Sequence, residues 1–216
     1  MNKLLKLALW LSVVTIGYNF VEGIVSVFFG AKDSALTLMG FGIDSFVEII
    51  SGFGILHMIL RMKSSTIERT DKFEKTALQI TGYGFYLLTL GLIAATIINL
   101  INAQKPQTTL AGIFISIISI AVMYWLMKSK LNIGGKLNSN AIIADANCTK
   151  TCFYLSIILL ASSLLYEFFQ IGFIDAAGSL GIAYYSFREG KESLEKAKQG
   201  SMECNDDTCK TNVKDN

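Results

Sequence analysis

Long apolar runs alternate with short polar stretches along the whole chain. Six of these runs come near the roughly 20 residues that a helix needs to cross a bilayer. They are too long for the strands of a membrane barrel, which take about 9–11 residues of alternating polarity. The pattern predicts an all-α integral membrane protein with six transmembrane helices, at about residues 7–29, 35–61, 78–102, 109–127, 139–166 and 170–187.

Basic residues gather in every second connection between these runs. Residues 61–75 hold five Lys or Arg, and residues 128–136 and the tail from Arg188 are also basic. The other three connections hold only Lys32 and Lys105. By the positive-inside rule, both termini and the two longer loops are expected on the cytoplasmic side.

The amino-acid composition agrees with the prediction of a helical membrane protein and argues against a soluble domain. The chain has 216 residues, of which 52% are hydrophobic and 17% charged, with a single proline. A soluble domain carries about 25% charged residues. Residues 1–190 are expected to form one transmembrane domain and residues 191–216 a short charged cytoplasmic tail, partly disordered. The first run reads as a retained span rather than a signal peptide, because it stays apolar too far and shows no small-residue cleavage site.

The second span carries two acids in an otherwise apolar segment. Asp44 and Glu48 are four residues apart, so they share one face of a helix. An acid near the bilayer centre costs roughly 2.5–3.5 kcal/mol on insertion scales. Two acids at this cost indicate a functional site, against the alternative of a structural polar pair.

The fifth span carries an acid and two thiols on one face. Asp145, Cys148 and Cys152 are spaced three and four residues apart. A disulfide between residues one turn apart would strain a regular helix, so free thiols are expected. If the second and fifth spans lie side by side, Asp44, Glu48, Cys148 and Cys152 converge. Two oxygens and two sulfurs suit a zinc-like ion, and thiolates favour softer metals.

These residues carry a resemblance to a known family. The chain resembles the transmembrane part of the cation diffusion facilitators, which exchange metal ions for protons. In that family the second span carries His or Asp, three residues, then Asp, and the fifth carries Ala-Asp-Ala, one residue, His, three residues, then Asp. Asp44 and Glu48 match the first pair, and Ala144-Asp145-Ala146 matches the lead-in to the second. The match puts Cys148 and Cys152 on ligand positions, as in a short, divergent branch of the family.

The resemblance implies a function and a partner. It implies proton-coupled efflux of a divalent metal, zinc or cadmium-like, by a homodimer that acts as a secondary transporter and not as an enzyme. The metal is then the transported substrate, and no permanently bound cofactor is expected. Cysteine replaces the usual His and Asp of the fifth span, and the family's histidine-rich loop and ferredoxin-like cytoplasmic domain are absent from this sequence.

Six further residues are weaker candidates. Asn19 and Glu22 in the first span either line the cavity or proton path or make a local helix contact. Asp145 either orients a ligand or stands at the entrance, and Asp175, at the start of the sixth span, matches a family feature. Cys204 and Cys209 in the tail either capture metal or are incidental thiols.

Two other functions stay open. A membrane protein that senses metal or regulates a partner needs the same site without transport. A proton-coupled exporter of an organic cation needs the acids Glu22, Asp44 and Glu48 but no thiols. No basic–aromatic patch for nucleic acid occurs, and the composition suggests the plasma (inner) membrane of a bacterium.

Overall fold

The regular structure of the described residues is all helical. The computed structural model describes residues 3–61, 72–102, 105–106, 109–137 and 140–199. The tail cysteines Cys204 and Cys209 lie outside these residues. The described part forms six helices: α1 Lys3–Lys32, α2 Leu36–Arg61, α3 Lys72–Ile101, α4 Leu110–Leu137, α5 Asn140–Phe169 and α6 Gly172–Gln199.

Five of the six helices are long and apolar enough to cross a membrane. The apolar segments are Lys3–Lys32, Leu36–Leu60, Lys75–Ile101, Leu110–Leu137 and Asp145–Phe169. Many large apolar side chains lie on the outside of the bundle, where lipid would contact them, for example Leu87, Phe114 and Phe168. The prediction of a helical membrane protein is thus confirmed, while α6 is too polar over its length to join the five. The sixth span at residues 170–187 stays a prediction.

Two helices continue past the predicted ends of their spans. The basic stretch at residues 128–136 is the last part of α4 and not a loop. The predicted sixth span and the charged segment after it form one continuous α6 of 28 residues, about 42 Å long at 1.5 Å per residue. The charged part of α6 contains an ion pair between Glu192 and Lys196, with 2.6 Å between carboxylate oxygen and ammonium nitrogen.

Helix α2 lies in the middle of the bundle. It packs against α1, α3, α5 and α6, while α3 packs mainly on α6 and α4 on α5. Glycines allow the backbones of α1 and α2 to pack closely. A methyl group on Gly42 would lie 2.7 Å from the backbone nitrogen of Val27, and one on Gly30 would meet the backbone of Met39. The glycines of α2 therefore serve packing, as small residues do between membrane helices.

The interior has a polar layer between two apolar clusters. The terminal cluster lies at the end of the bundle that holds the start of α1, and includes Leu11, Ile59 and Leu126. The distal cluster lies at the opposite end and includes Phe41 and Leu155, with Leu38, Leu92, Leu159 and Ile182. The polar layer between them is the middle of α1, α2 and α5 together with the part of α6 after Ala183.

Candidate functional site

The centre of the polar layer is a contact between α2 and α5. The Cys152 thiol donates a hydrogen bond to Oε2 of Glu48. Cys152 is buried, and Glu48 is half-buried. The second and fifth spans are therefore neighbours, and two of the four predicted ligands touch each other.

Asn19 of α1 completes this contact from the other side. Its side-chain nitrogen donates to the same Oε2 atom of Glu48 at 3.1 Å. Only 2% of the Asn19 surface is exposed, and its carbonyl oxygen Oδ1 has no hydrogen-bond partner. A buried polar atom without a partner costs about 1–3 kcal/mol, which makes this oxygen a ready acceptor for a ligand.

The other two predicted ligands stand apart from this contact. Asp44 is buried one turn away on α2, where the Ser186 hydroxyl of α6 donates to its Oδ1 at 3.1 Å. Cys148 is half-buried one turn from Cys152, and both are reduced thiols, as predicted. Within the described ranges, no three His, Cys, Asp or Glu side chains are close enough to hold a metal ion together.

Three carboxyl groups in this layer, two buried and one half-buried, have neutral partners. Besides Asp44 and Glu48, Glu22 of α1 accepts a hydrogen bond from the Ser45 hydroxyl at 3.2 Å, and its Oε1 has no partner. Among the described residues, no Lys or Arg is ion-paired with any of the three. A carboxylate buried without a counter-charge takes up a proton or binds a cation. The layer is therefore built to hold protons or a cation.

Asp145 has a different environment. Its Oδ1 accepts from the ammonium group of Lys130 on α4 at 2.8 Å, and its Oδ2 accepts from the Ser12 hydroxyl at 3.1 Å. Lys130 also donates to Thr149 at 2.9 Å and is only 1% exposed. This ion pair joins α1, α4 and α5. Sequence reasoning missed Lys130 because it placed residues 128–136 in a loop.

Asp175 lies away from the Glu48–Cys152 contact. Its carboxylate accepts hydrogen bonds from the backbone N–H groups of Leu36 at 2.8 Å and Thr37 at 3.2 Å. These are the first residues of α2, so Asp175 caps that helix from α6. Twelve residues separate Leu36 from Glu48, which is about 18 Å along the helix.

Glu189 of α6 joins the polar layer, and sequence reasoning missed it. The Thr151 hydroxyl of α5 donates to its Oε1 at 2.9 Å. Glu189 and Glu48 line a common cavity, which Lys196 also lines. The signal for Glu189 was present in the sequence, because Ser186 and Glu189 are three residues apart on one helix face. The charged residues around it suggested a solvated tail instead.

Two cavities open beside these residues. The smaller, of about 50 Å³, reaches both Glu48 and Cys152. The larger, of about 200 Å³, lies between α5 and α6. Three residues line both cavities: Cys148, Glu189 and Lys196.

Comparison with known proteins gives one distant similarity. No protein-family model matches the chain. Over 160 residues it is 22% identical to a protein named as an uncharacterized transporter from Methanocaldococcus jannaschii. The aligned part covers 72% of this chain and 56% of that protein, so the chain spans little more than half of its relative's length.

Proposed function

We propose that the protein exports a divalent transition-metal cation, zinc or cadmium-like, in exchange for protons. The observation that carries this proposal is the buried contact of Glu48 with Cys152, beside the unpartnered carbonyl oxygen of Asn19. A carboxylate and a thiol in contact inside a membrane bundle are oxygen and sulfur ligands for a borderline-soft ion. Asp44 and Cys148 complete the proposed set of four.

Two similarities support a transport role. The chain resembles the cation diffusion facilitators in its acids on α2 and in the Ala-Asp-Ala sequence of α5. The relative from M. jannaschii is named as a transporter. A homodimer in a bacterial plasma membrane, with both termini in the cytoplasm, belongs to the same proposal.

The chemistry of these ligands couples the binding of the metal ion to the release of protons. Thiols and carboxyl groups bind metal only when deprotonated, so an entering cation releases protons from Glu48 and Cys152. Asp44 exchanges its bond from Ser186 for the metal, and Cys148 turns toward Cys152 from the cavity. On the far side of the membrane, protons reload the same groups and displace the cation.

The size of the smaller cavity favours a metal ion over an organic cation. Its volume is about 50 Å³. A water molecule takes about 30 Å³ of liquid volume, whereas pockets for drug-sized molecules measure about 300–1,000 Å³. The cavity that reaches Glu48 and Cys152 therefore has room for an ion with a ligand or two.

The test is a panel of metals in inverted vesicles, with proton movement recorded alongside. The parent is expected to accumulate zinc, cadmium or both and to release protons from the vesicles in step with uptake. Cys152→Ser is expected to reduce cadmium transport most, because serine is a poor ligand for a soft ion. Glu195→Gln, on an exposed part of α6, is the matched control.

The same assay separates the other two functions. A metal sensor would bind the panel without any metal-dependent proton flux. An exporter of organic cations would keep its transport in Cys152→Ser. Either result would contradict the proposal.

A further inference from the structure

The larger cavity, of about 200 Å³ between α5 and α6, has a mainly basic lining. Three of its side chains carry a positive charge: Lys150 of α5, and Arg188 and Lys196 of α6. The carboxyl groups that line it are those of Glu189 and Glu192. With every group ionised, the lining has one positive charge in excess, which favours an anion over a cation.

Both carboxyl groups in the lining have partners. Lys196 holds Glu192 at 2.6 Å, and the Thr151 hydroxyl donates to Glu189 at 2.9 Å. The charges of Lys196 and Arg188 also act on Glu189. The acids are therefore compensated by groups of the protein, and the two basic residues that hold no acid are those that could bind an anion.

Lys150 and Arg188 are these two residues. Among the described residues, the side chain of neither makes a hydrogen bond or an ion pair. The Lys150 ammonium lies 5.8 Å from the centre of the Tyr154 ring, a cation–π contact that uses none of its N–H donors. Arg188 is exposed, and its planar guanidinium is suited to bind phosphate through two parallel hydrogen bonds.

The cavity lies where the apolar parts of both helices end. On α5 it is lined from Asn147 onward, and the apolar segment of that helix starts at Asp145. On α6 it is lined by Tyr185 and Arg188, at the end of the predicted sixth span. Both positions indicate the level of the membrane surface, on the side that the positive-inside rule predicts to be cytoplasmic.

Tyrosine rings lead from the cavity to the outside of the bundle. Tyr154 and Tyr185 line the cavity, with 6.4 Å between their ring centres. Tyr185 in turn contacts Tyr184 at 5.9 Å, and Tyr184 is 61% exposed. Tyrosine is typical of the boundary between head groups and acyl chains. An anion with acyl chains can therefore place its charged group in the cavity and its chains against the exposed side of α6.

We propose that the cavity between α5 and α6 binds the phosphate group of an anionic phospholipid through Lys150 and Arg188. Basic pockets between membrane helices on the cytoplasmic side are known to bind anionic head groups. The volume of about 200 Å³ equals that of roughly six water molecules at about 30 Å³ each, which is room for a head group without its chains. The inference goes beyond the proposed metal export and does not depend on it.

Three variants isolate the two basic residues. Lys150→Gln combined with Arg188→Gln removes both charges, and it is expected to fold because neither side chain bonds to another described residue. The matched control combines Lys191→Gln with Lys198→Gln, two exposed residues of α6 that do not line the cavity. Arg188→Lys keeps the charge and loses only the planar fork of donors.

The experiment uses the full chain in detergent, with phosphatidylglycerol and the zwitterionic phosphatidylcholine as probes. Native mass spectrometry measures the apparent dissociation constant of each lipid. We expect the parent to bind phosphatidylglycerol about tenfold more tightly than phosphatidylcholine. The Lys150→Gln, Arg188→Gln variant is expected to lose this preference, whereas the control variant and Arg188→Lys keep most of it.

A second measurement reports on the cavity itself. Cys148 lines it, so the rate at which a maleimide labels this thiol depends on whether the cavity is occupied. Phosphatidylglycerol is expected to slow the labelling several-fold in the parent, and inorganic phosphate at the same concentration to leave it unchanged. Equal protection by inorganic phosphate would indicate a site for a free anion and overturn the lipid. Equal binding of the two lipids by the parent, or a double variant that binds like its control, would overturn the proposal as well.

Discussion

Two carboxylates inside the same bundle, Asp145 and Glu48, have opposite surroundings. Asp145 accepts from the ammonium group of Lys130 at 2.8 Å and from Ser12. Glu48 accepts from the amide of Asn19 at 3.1 Å and from the thiol of Cys152. The first has a fixed counter-charge, whereas the donors to the second among the described residues are neutral.

The difference separates a structural acid from an exchanging one. A carboxylate that is paired with a buried lysine is neutralised permanently, and a metal ion would have to displace that lysine. A carboxylate among neutral donors needs a mobile positive charge, either a proton or a cation. An acid inside a membrane protein is usually a functional residue. The charge of its hydrogen-bond partner indicates whether its role is structural or in binding a proton or a cation.

Removing the fixed counter-charge is expected to have the largest effect. Lys130→Met leaves Asp145 buried and unpaired, and we expect the free energy of unfolding to fall by about 3–5 kcal/mol. Reversible unfolding in detergent micelles, followed by circular dichroism, measures it. Combining Lys130→Met with Asp145→Asn is expected to recover most of the loss, because no buried charge then remains. A single variant as stable as the parent would show that the pair is not structural.

Removing the exchanging acid is expected to affect transport and not stability. Glu48→Gln keeps the size of the side chain but cannot release a proton to a metal. We expect metal uptake to fall by about a hundredfold, or about 2.7 kcal/mol, with the unfolding free energy changed by less than about 1 kcal/mol. Vesicle uptake and detergent unfolding on the same preparation measure both. A stability loss as large as that of Lys130→Met would remove the distinction between the two acids.

A third acid, Asp175, tests whether hydrogen-bond partners distinguish structural acids from acids that bind the cation. Its substitution is expected to have the smallest effect of the three. Asp175 accepts two backbone N–H groups at the start of α2. Asp175→Ala is expected to cost about 1–2 kcal/mol of unfolding free energy, the usual value of a helix cap. Asp175→Asn should recover part of it, since asparagine also caps well. The metal concentration for half-maximal uptake should stay at the parental value in both, and a shift in it would place Asp175 on the metal path.

The helices themselves follow from the sequence. A run of about 20 apolar residues forms a helix in lipid, because only a helix satisfies the backbone N–H and C=O groups of a single segment there. The four-residue spacing of Asp44 with Glu48 on α2, and of Cys148 with Cys152 on α5, predicted which face of each helix contacts the other. The structure places α2 beside α5, and Glu48 contacts Cys152 there. The spacing of residues on one helix does not predict how a neighbouring helix is rotated about its axis. Asp44 was expected to face the cysteines of α5, but it accepts a hydrogen bond from Ser186 of α6.

The residues that sequence reasoning missed are charged and lie beyond the predicted ends of their spans, at residues 127 and 187. Lys130 and Glu189 stand among other charges, where composition predicts water. Both helices run on past the predicted ends of their spans, and a charged side chain that faces the bundle there is buried, as Lys130 is, or half-buried, as Glu189 is. Lys130 can be buried because Asp145 lies opposite it, a partner on another helix that no local pattern reveals.

The distal cluster has a consequence for ion leakage. Phe41, Leu92 and Leu155 pack together on one side of the polar layer, opposite the cavities. Moving an unpaired ion from water into such a low-dielectric cluster costs several kcal/mol or more in desolvation free energy. In the proposed transport cycle, a cation at Glu48 and Cys152 therefore reaches the distal side only when the side chains of the distal cluster part. In that cycle the distal cluster prevents a leak of ions down the membrane potential while the proposed site is empty.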